Sequence, residues 1–119
     1  MDEVMGKILT IVVPTYNAEK YLRDNLESFE IPELMQDIEV LIINDGSTDH
    51  SVDIAREYEA RYPDTYRVIT KENGGHGSGI NCGVAHARGT YFKVVDADDW
   101  VGKEAFFSLV KTLKITDAD

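Results

Sequence analysis

Residues 38–43 read IEVLII, an almost unbroken run of apolar and β-branched side chains. A strand with one face in water alternates polar and apolar residues, whereas a strand that is apolar throughout is typical of a sheet covered by helices on both faces. Similar runs stand on either side of it, at ILTIVV (8–13), YRVIT (66–70) and YFKVV (91–95). The sequence therefore predicts four strands.

Each predicted strand is followed by a segment with the apolar spacing of an amphipathic helix, three and four positions apart. Asn17 is predicted to cap the first helix, and Ser47 or Thr48 the second. Gly89 is predicted to end the third. The four helix faces are marked by Leu22, Leu26 and Phe29; by Val52, Ala55, Tyr58 and Tyr62; by Ile80, Val84 and Ala87; and by Phe106, Leu109, Val110 and Leu113.

Strand and helix alternate four times, which predicts right-handed crossovers and a parallel α/β sheet with helices on both faces. We expect one Rossmann-like domain over residues 1–119, with strand order 3-2-1-4. In such sheets ligands bind beyond the carboxyl ends of the strands, where the strand order reverses. The loops after strands one, two and four should therefore meet at one edge; they are PTYN (14–17), NDGSTD (44–49) and DADDW (96–100).

The charge and composition of the chain argue against several partners. Its 119 residues carry 12 Lys and Arg against 22 Asp and Glu, a formal net charge of −10, so no nucleic-acid partner is expected. Its apolar runs are far shorter than the roughly 20 residues that span a bilayer. The start, MDEVMGK, lacks the apolar core of a signal peptide. A single cysteine, Cys82, favours a reducing, cytoplasmic location.

Three carboxylates stand together in DADD (96–99), directly after the fourth strand. In one interpretation Asp98 or Asp99 caps the next helix and the other side chains face solvent. In the other, Asp96 and Asp98 point the same way from an extended segment and hold Mg²⁺ or Mn²⁺. The cation would neutralise a diphosphate and help it to depart as a leaving group. Capping needs only one carboxylate, so the cation is favoured.

Two other loops at this edge allow two interpretations each. Pro14 gives a rigid turn, and Tyr16 either offers a ring for a base to stack on or packs within its own loop. Asp45 either accepts a hydrogen bond from a base or ribose, or forms a turn with Gly46. Neither residue decides the function by itself.

The segment ENGGHGSGIN (72–81) is rich in glycine and precedes a helix, which permits close approach of a ligand or of a neighbouring loop. It lacks the Lys-Ser/Thr pair of a Walker loop and the spacing of a dinucleotide loop. His76 is either a phosphate or sugar contact or an ordinary turn residue. Three scattered histidines and one cysteine suggest no zinc site.

Taken together, three segments resemble the nucleotide-sugar-binding half of an inverting family 2 glycosyltransferase with the GT-A fold. They are TIVVPTYNAEKYL (10–22), IEVLIINDGSTDHS (38–51) and ENGGHGSGINCGVAHARGTYFKVVDADDW (72–100). The joint occurrence of P-T-Y-N, N-D-G-S-T-D, E-N-G-G and D-A-D-D in this order is far more specific than any one motif. The resemblance covers nearly the whole chain.

The resemblance assigns roles to individual residues. Asp96 and Asp98 would form the D-x-D pair, with Asp96 nearer the ribose and Asp98 the principal metal ligand. Ile80 stands where the family often has an arginine, so a phosphate or ribose contact from that position is not expected, and His76 could replace part of it. The residues that would bind the nucleotide-sugar are Pro14, Thr15, Tyr16, Asp45, Asn81 and Asp96.

By the same resemblance, the chain would bind a UDP-sugar or other NDP-sugar through Mn²⁺ or Mg²⁺ for inverting transfer to an acceptor hydroxyl. The acceptor would be a glycan or a lipid-linked molecule, in the synthesis of a cell-surface polysaccharide or glycoconjugate. Family members are longer, so the chain is expected to be a truncated donor portion, with the acceptor site and general base beyond residue 119. The parent enzyme would lie at the inner face of the membrane, and the uncovered surface would favour a homodimer.

Two other functions stay open. A nucleotidyltransferase uses a similar sheet and carboxylate-bound Mg²⁺, but normally has a glycine-rich, basic loop after the first strand, where this chain has PTYN. A non-catalytic binding or assembly module would have kept the fold and lost the chemistry. Metal-dependent nucleotide binding distinguishes these functions from a glycosyltransferase donor domain.

Overall fold

Four parallel strands form a single sheet in the order β3-β2-β1-β4, which confirms the predicted topology. The computed structural model describes residues 6–117, so most of the acidic start from which the lack of a signal peptide was predicted lies outside the described residues. The strands are β1 (Leu9–Thr15), β2 (Ile38–Asp45), β3 (Tyr66–Lys71) and β4 (Tyr91–Val94). The helices are α1 (Glu19–Glu27), α2 (Ser51–Arg61), α3 (His76–His86) and α4 (Lys103–Asp117).

The two central strands are buried along their whole length, which explains why their sequences are apolar on both faces. All seven residues of β1 and all eight of β2 are buried. One face of the sheet packs against α1, α2 and α4, and there the rings of Phe29 and Phe106 meet edge to face, 5.5 Å between centroids. On the other face, Cys82 of α3 packs against Val12 and Leu41. Helices therefore cover both faces, as predicted.

The third helix lies directly on β1 and ends at His86, so the prediction that Gly89 ends it was wrong. Gly89 is instead required by close packing, because a Cβ at this position would stand 2.7 Å from the backbone nitrogen of Thr10. The N–H of Gly89 also donates to the hydroxyl of Thr10 at 2.8 Å. Within α3 itself, a Cβ on Gly83 would collide with Val12. These two glycines let the helix and the loop after it sit on the sheet.

The loops after β1 and β2 hold one another, and this overturns the predicted helix caps. Asn17, which adopts a φ of 49°, does not cap α1; its Oδ1 accepts hydrogen bonds from the N–H of Thr48 at 2.8 Å and of Asp49 at 3.3 Å. Neither Ser47 nor Thr48 caps α2. The hydroxyl of Ser47 accepts a hydrogen bond from the N–H of Asn17 at 3.0 Å, and the hydroxyl of Thr48 donates to Asn17 Oδ1 at 3.4 Å. The reason is that β1 and β2 are neighbours, so each loop satisfies polar groups of the other.

The start of α1 is capped from the start of α2. The hydroxyl of Ser51 accepts from the N–H of Ala18 at 2.8 Å, and Asp49 Oδ2 accepts from the N–H of Glu19 at 3.1 Å. Burial would raise the pKa of Asp49, but the hydrogen bonds from Ser51 and Glu19 outweigh it and hold the pKa below its ordinary value. These contacts fix the edge of the sheet at which the β1 and β2 loops end.

The fourth strand lies at one edge of the sheet, paired with β1 over four residues. Phe92 on this strand is about half exposed, at 51%. The homodimer through an uncovered surface stays a prediction. None of the helices within residues 6–117 has both the length and the apolar character needed to cross a bilayer.

Candidate functional site

A cavity of about 360 Å³ opens at the carboxyl edge of the sheet, within the size range of small-molecule sites. Its walls come from the end of β1, the end of β2 and the glycine-rich loop that leads into α3. The structure thus brings together four of the predicted site residues. The lining residues are Pro14, Thr15, Tyr16, Asp45, Asn73, Gly75, His76 and Gly79.

The first wall is formed by the end of β1. The prediction that Pro14 forms a turn was wrong. Pro14 is the sixth residue of β1 and is in register with Ile43. The carbonyl of Val12 accepts a hydrogen bond from the N–H of Val95, so the backbone of Val12 faces β4. Pro14 lies two residues further on and therefore also faces the β4 side of the strand. Because β4 has already ended there, the missing N–H of proline breaks no hydrogen bond of the sheet. Thr15 is buried, and Tyr16 is 53% exposed, which leaves its ring available for stacking.

Asp45 forms the second wall and is 4% exposed. Its Oδ1 accepts hydrogen bonds from Lys71 Nζ and the N–H of Gly74, and its Oδ2 accepts one from the N–H of Gly75, all at 2.9 Å. Burial would raise the pKa of Asp45, but the hydrogen bonds from Lys71, Gly74 and Gly75 outweigh it and lower the pKa. Two lone pairs per oxygen leave Oδ2 one acceptor position for a ligand.

Lys71 and Asn73 are site residues that the sequence analysis missed. Lys71 pairs with Asp45, and Asn73 Nδ2 donates to the backbone carbonyl of Asp45 at 3.1 Å. Asp45 and Lys71 are register partners on neighbouring strands. The predicted strand order alone did not reveal this pair, because β3 begins opposite Val40, the third residue of β2, and that offset is set by how the strands pack.

The acidic turn, defined as Asp96–Asp99, follows β4. The N–H of Asp99 donates to the carbonyl of Asp96 at 2.9 Å, so the segment is a turn rather than the extended chain assumed from the sequence. Ala97 is buried at 5%, whereas Asp96 and Asp98 are exposed on either side of it. Both carboxylates therefore lie at the solvent side of this turn.

Within residues 6–117, neither Asp98 nor Asp99 caps the helix that follows the acidic turn, so that interpretation was wrong. Asp99 Oδ1 accepts a hydrogen bond from the N–H of Trp100 at 2.9 Å. Helix α4 begins only at Lys103, and the first bond of its ladder runs from the N–H of Phe106 to the carbonyl of Gly102. The carboxylates of Asp96 and Asp98 consequently need another explanation.

His76 joins the cavity to the acidic turn. It is the first residue of α3, it lines the cavity, and its Nε2 lies 2.8 Å from Asp96 Oδ1. Asn81 lies five residues further along α3, is exposed, and is not among the residues that line the cavity. Of the predicted site residues, four line the cavity together: Pro14, Thr15, Tyr16 and Asp45. Asp96 contacts the cavity-lining residue His76, and Asn81 does not line the cavity.

The donor atoms of the acidic turn fit a divalent cation that is shared with a ligand. Within residues 6–117, no group of three or more His, Cys, Asp or Glu side chains is arranged to hold a metal ion. Asp96 and Asp98 supply two carboxylates, and Mg²⁺ at phosphate sites is commonly held by one or two carboxylates together with phosphate oxygens and water. The residues therefore suit an ion bound together with a diphosphate.

The fold and this site define a ligand-binding α/β domain, and sequence comparison gives its family. A family model described as "Glycosyl transferase family 2" matches residues 10–119. The chain belongs to glycosyltransferase family 2. The strand order and the match to solved structures together confirm the predicted GT-A fold.

Three relatives illustrate the similarity. The uncharacterized glycosyltransferase EpsJ of Bacillus subtilis (strain 168) is 37% identical over 115 residues, which cover 97% of this chain and 33% of EpsJ. The structure of S. aureus TarS 1-349 in complex with UDP-GlcNAc matches with a TM-score of 0.77 and 29% identity, over 90% of this chain and 31% of the TarS 1-349 chain. The mannosyltransferase PcManGT from Pyrobaculum calidifontis, in complex with GDP-Man and Mn²⁺, matches with a TM-score of 0.69 and 28% identity, over 87% and 31%. The chain spans about a third of the length of EpsJ, of TarS 1-349 and of the PcManGT chain.

Proposed function

We propose that the chain binds the nucleotide-sugar donor of a metal-dependent glycosyltransferase and presents the sugar for inverting transfer to an acceptor hydroxyl. The observation that carries this proposal is the cavity at the carboxyl edge of the sheet, which His76 links to Asp96. A nucleoside in the cavity has its diphosphate directed toward the acidic turn. The donor is a UDP-sugar or another NDP-sugar.

The nucleoside is held by two walls of the cavity, the end of β1 and the end of β2. The exposed ring of Tyr16 stacks on the base, and the free acceptor position of Asp45 Oδ2 receives a base N–H or a ribose hydroxyl. The TarS complexes with UDP and UDP-GlcNAc support a uridine nucleotide. The GDP-Man complex of PcManGT shows that a protein of similar fold binds a different nucleotide-sugar.

The diphosphate is held through a cation, Mn²⁺ or Mg²⁺, on Asp98 and Asp96. When bound, the cation neutralises the diphosphate and stabilises it as a leaving group. Neutralisation is needed because the chain carries a formal net charge of −10 and its acidic turn would otherwise repel phosphate. The Mn²⁺ in the PcManGT complex supports this role for a divalent ion.

Inverting transfer requires the acceptor hydroxyl to attack the anomeric carbon from the face opposite the diphosphate, after losing its proton to a base. We assign no such base within these residues. We propose that the acceptor is a glycan or a lipid-linked molecule. We also propose that the parent enzyme works in the cytoplasm, at the inner face of the membrane, in the synthesis of a cell-surface polysaccharide or glycoconjugate.

Calorimetry with UDP in the presence and absence of Mn²⁺ tests the donor site. We expect binding by the wild-type chain that depends on Mn²⁺ and is lost in Asp98→Ala. The matched control is Asp64→Ala, which removes an exposed carboxylate just before β3, at the opposite end of the sheet. Metal-independent binding, or equal binding by Asp98→Ala and the wild type, would contradict the proposal.

A further inference from the structure

Asn25 is a fully buried polar residue in the middle of α1, on the helix face that it shares with Leu22 and Leu26. Its Nδ2 donates to the carbonyl of Asp96 at 3.0 Å and to the carbonyl of Asp99 at 2.9 Å. Its Oδ1 is buried and has no hydrogen-bond partner among the described residues. Burial of an unpaired amide oxygen costs free energy that an apolar side chain at this position would not incur.

The two carbonyls that Asn25 binds belong to the first and last residues of the acidic turn. The turn is closed by the bond from the N–H of Asp99 to the carbonyl of Asp96. The side-chain amide of Asn25 therefore binds both ends of the acidic turn from its buried side. Directly after α1, the hydroxyl of Ser28 donates to the carbonyl of Asn25 at 2.6 Å and accepts from the N–H of Val101 at 3.3 Å, which fixes the chain as it leaves the turn.

A purely structural role accounts poorly for this arrangement. Asp96 and Asp99 are exposed residues and the two hydrogen bonds to their carbonyls are only partly buried, while Leu22 and Leu26 on the same face of α1 are buried and apolar. The two hydrogen bonds from Asn25 fix the orientation of the acidic turn relative to the sheet. That orientation decides where the carboxylates of Asp96 and Asp98 stand with respect to His76 and the cavity.

We infer that Asn25 is a positioning residue for the cation site, which holds the acidic turn so that Asp96 and Asp98 face a bound nucleoside diphosphate. The inference rests on the proposed function. Groups that orient metal ligands commonly change metal affinity by about 10- to 100-fold when they are removed. Asn25 orients both carboxylates through the backbone of a single turn.

The test compares UDP affinity at saturating Mn²⁺ in the wild type, Asn25→Leu and Leu22→Ala. Asn25→Leu keeps the branched shape and removes both N–H donors, and we expect it to weaken binding by about tenfold or more. Leu22→Ala, one turn earlier on the same buried face, destabilises the fold but leaves both N–H donors of Asn25 in place, so we expect wild-type affinity. If Asn25→Leu does not fold, Asn25→Ser, which cannot span both carbonyls, replaces it with the same expectation.

A second readout reports the turn without any ligand. In Asn25→Leu we expect faster amide hydrogen exchange at Asp99, measured by NMR, and unchanged exchange at Val95, whose N–H bonds to Val12 in the sheet. Wild-type affinity in a folded Asn25 variant would overturn the inference and leave the donor site intact. Absence of Mn²⁺-dependent UDP binding by the wild type would overturn the proposed function, and this inference with it.

Discussion

Asp45 ends one strand and the acidic turn follows another at the same edge of the sheet, yet their carboxylates have opposite environments. Asp45 is 4% exposed and accepts three hydrogen bonds, one from Lys71 at the end of β3 and two from the loop after it. The side chain of Asp96 is 55% exposed and contacts His76, and Asp98 and Asp99 are also exposed. One carboxylate is built into the fold, whereas the other three are presented to solvent.

The difference follows from what each position can tolerate. A carboxylate ending a central strand loses its water on folding, so it must find internal donors, and Lys71 with the glycine-rich loop supplies them. Three carboxylates in one exposed turn keep their water but repel one another. The first region should therefore matter mainly to stability, and the second mainly to binding. Each prediction below tests that division.

The largest effect on stability is expected from Asp45→Asn. The substitution removes the charge that pairs with Lys71 and turns an amide NH₂ toward a backbone N–H of the glycine-rich loop. We expect the free energy of unfolding to fall by about 2 kcal/mol, because the buried side chain loses its charge and can no longer accept all three hydrogen bonds. Urea denaturation measures it, with Asp64→Asn as the matched control. A loss no greater than that of the control would show that Asp45 is not a structural carboxylate.

The stabilising effect of Asp45 should also depend on pH in one direction. Its pKa is lowered in the folded state, so its contribution is complete above the ordinary pKa of an aspartate, about 3.9, and is lost as the pH falls through the folded value. We expect the difference in unfolding free energy between wild type and Asp45→Asn to be constant from about pH 7 to about pH 5 and to shrink at lower pH. A constant difference down to about pH 2 would contradict this.

The sequence predicted the large features of this molecule because they depend on local patterns. Apolar runs predicted the four strands and their coverage on both faces, and alternation with helices predicted the parallel order. With that order, placing Pro14, Tyr16 and Asp45 at one edge required only that parallel strands end at the same side. The positions of these residues at the cavity follow from the topology.

The features that the sequence did not predict depend on which loops become neighbours. Asn17 looked like a helix cap, but its oxygen bonds to residues 31 and 32 positions away in the loop after β2. The sequence analysis did not single out Asn25, whose partners are 71 and 74 positions away. A short polar side chain has several possible partners, and packing in three dimensions selects among them.

His76→Ala tests the contact between the cavity and the acidic turn. The side chains of His76 and Asp96 are 61% and 55% exposed, so their contact should contribute little, and we expect the free energy of unfolding to change by less than about 1 kcal/mol. UDP affinity at saturating Mn²⁺ should fall, because the substitution removes a wall of the cavity. His76→Asn, which keeps a polar group of similar size, is the control. A large loss of stability would place His76 with Asp45 as a structural residue.

The smallest effect on stability, and one of opposite sign, is expected from Asp98→Asn without metal. The substitution keeps the size of an exposed side chain and removes one of three neighbouring negative charges, in a chain of formal net charge −10. We expect the free energy of unfolding to rise by up to about 0.5 kcal/mol, the usual limit for surface substitutions. Asp64→Asn removes the same charge away from the turn and separates local repulsion from net charge. UDP binding should be lost in the same variant. A gain in stability would then show that the fold tolerates the repulsion between these carboxylates because they serve ligand binding. A clear loss of stability would mean that Asp98 stabilises the fold instead.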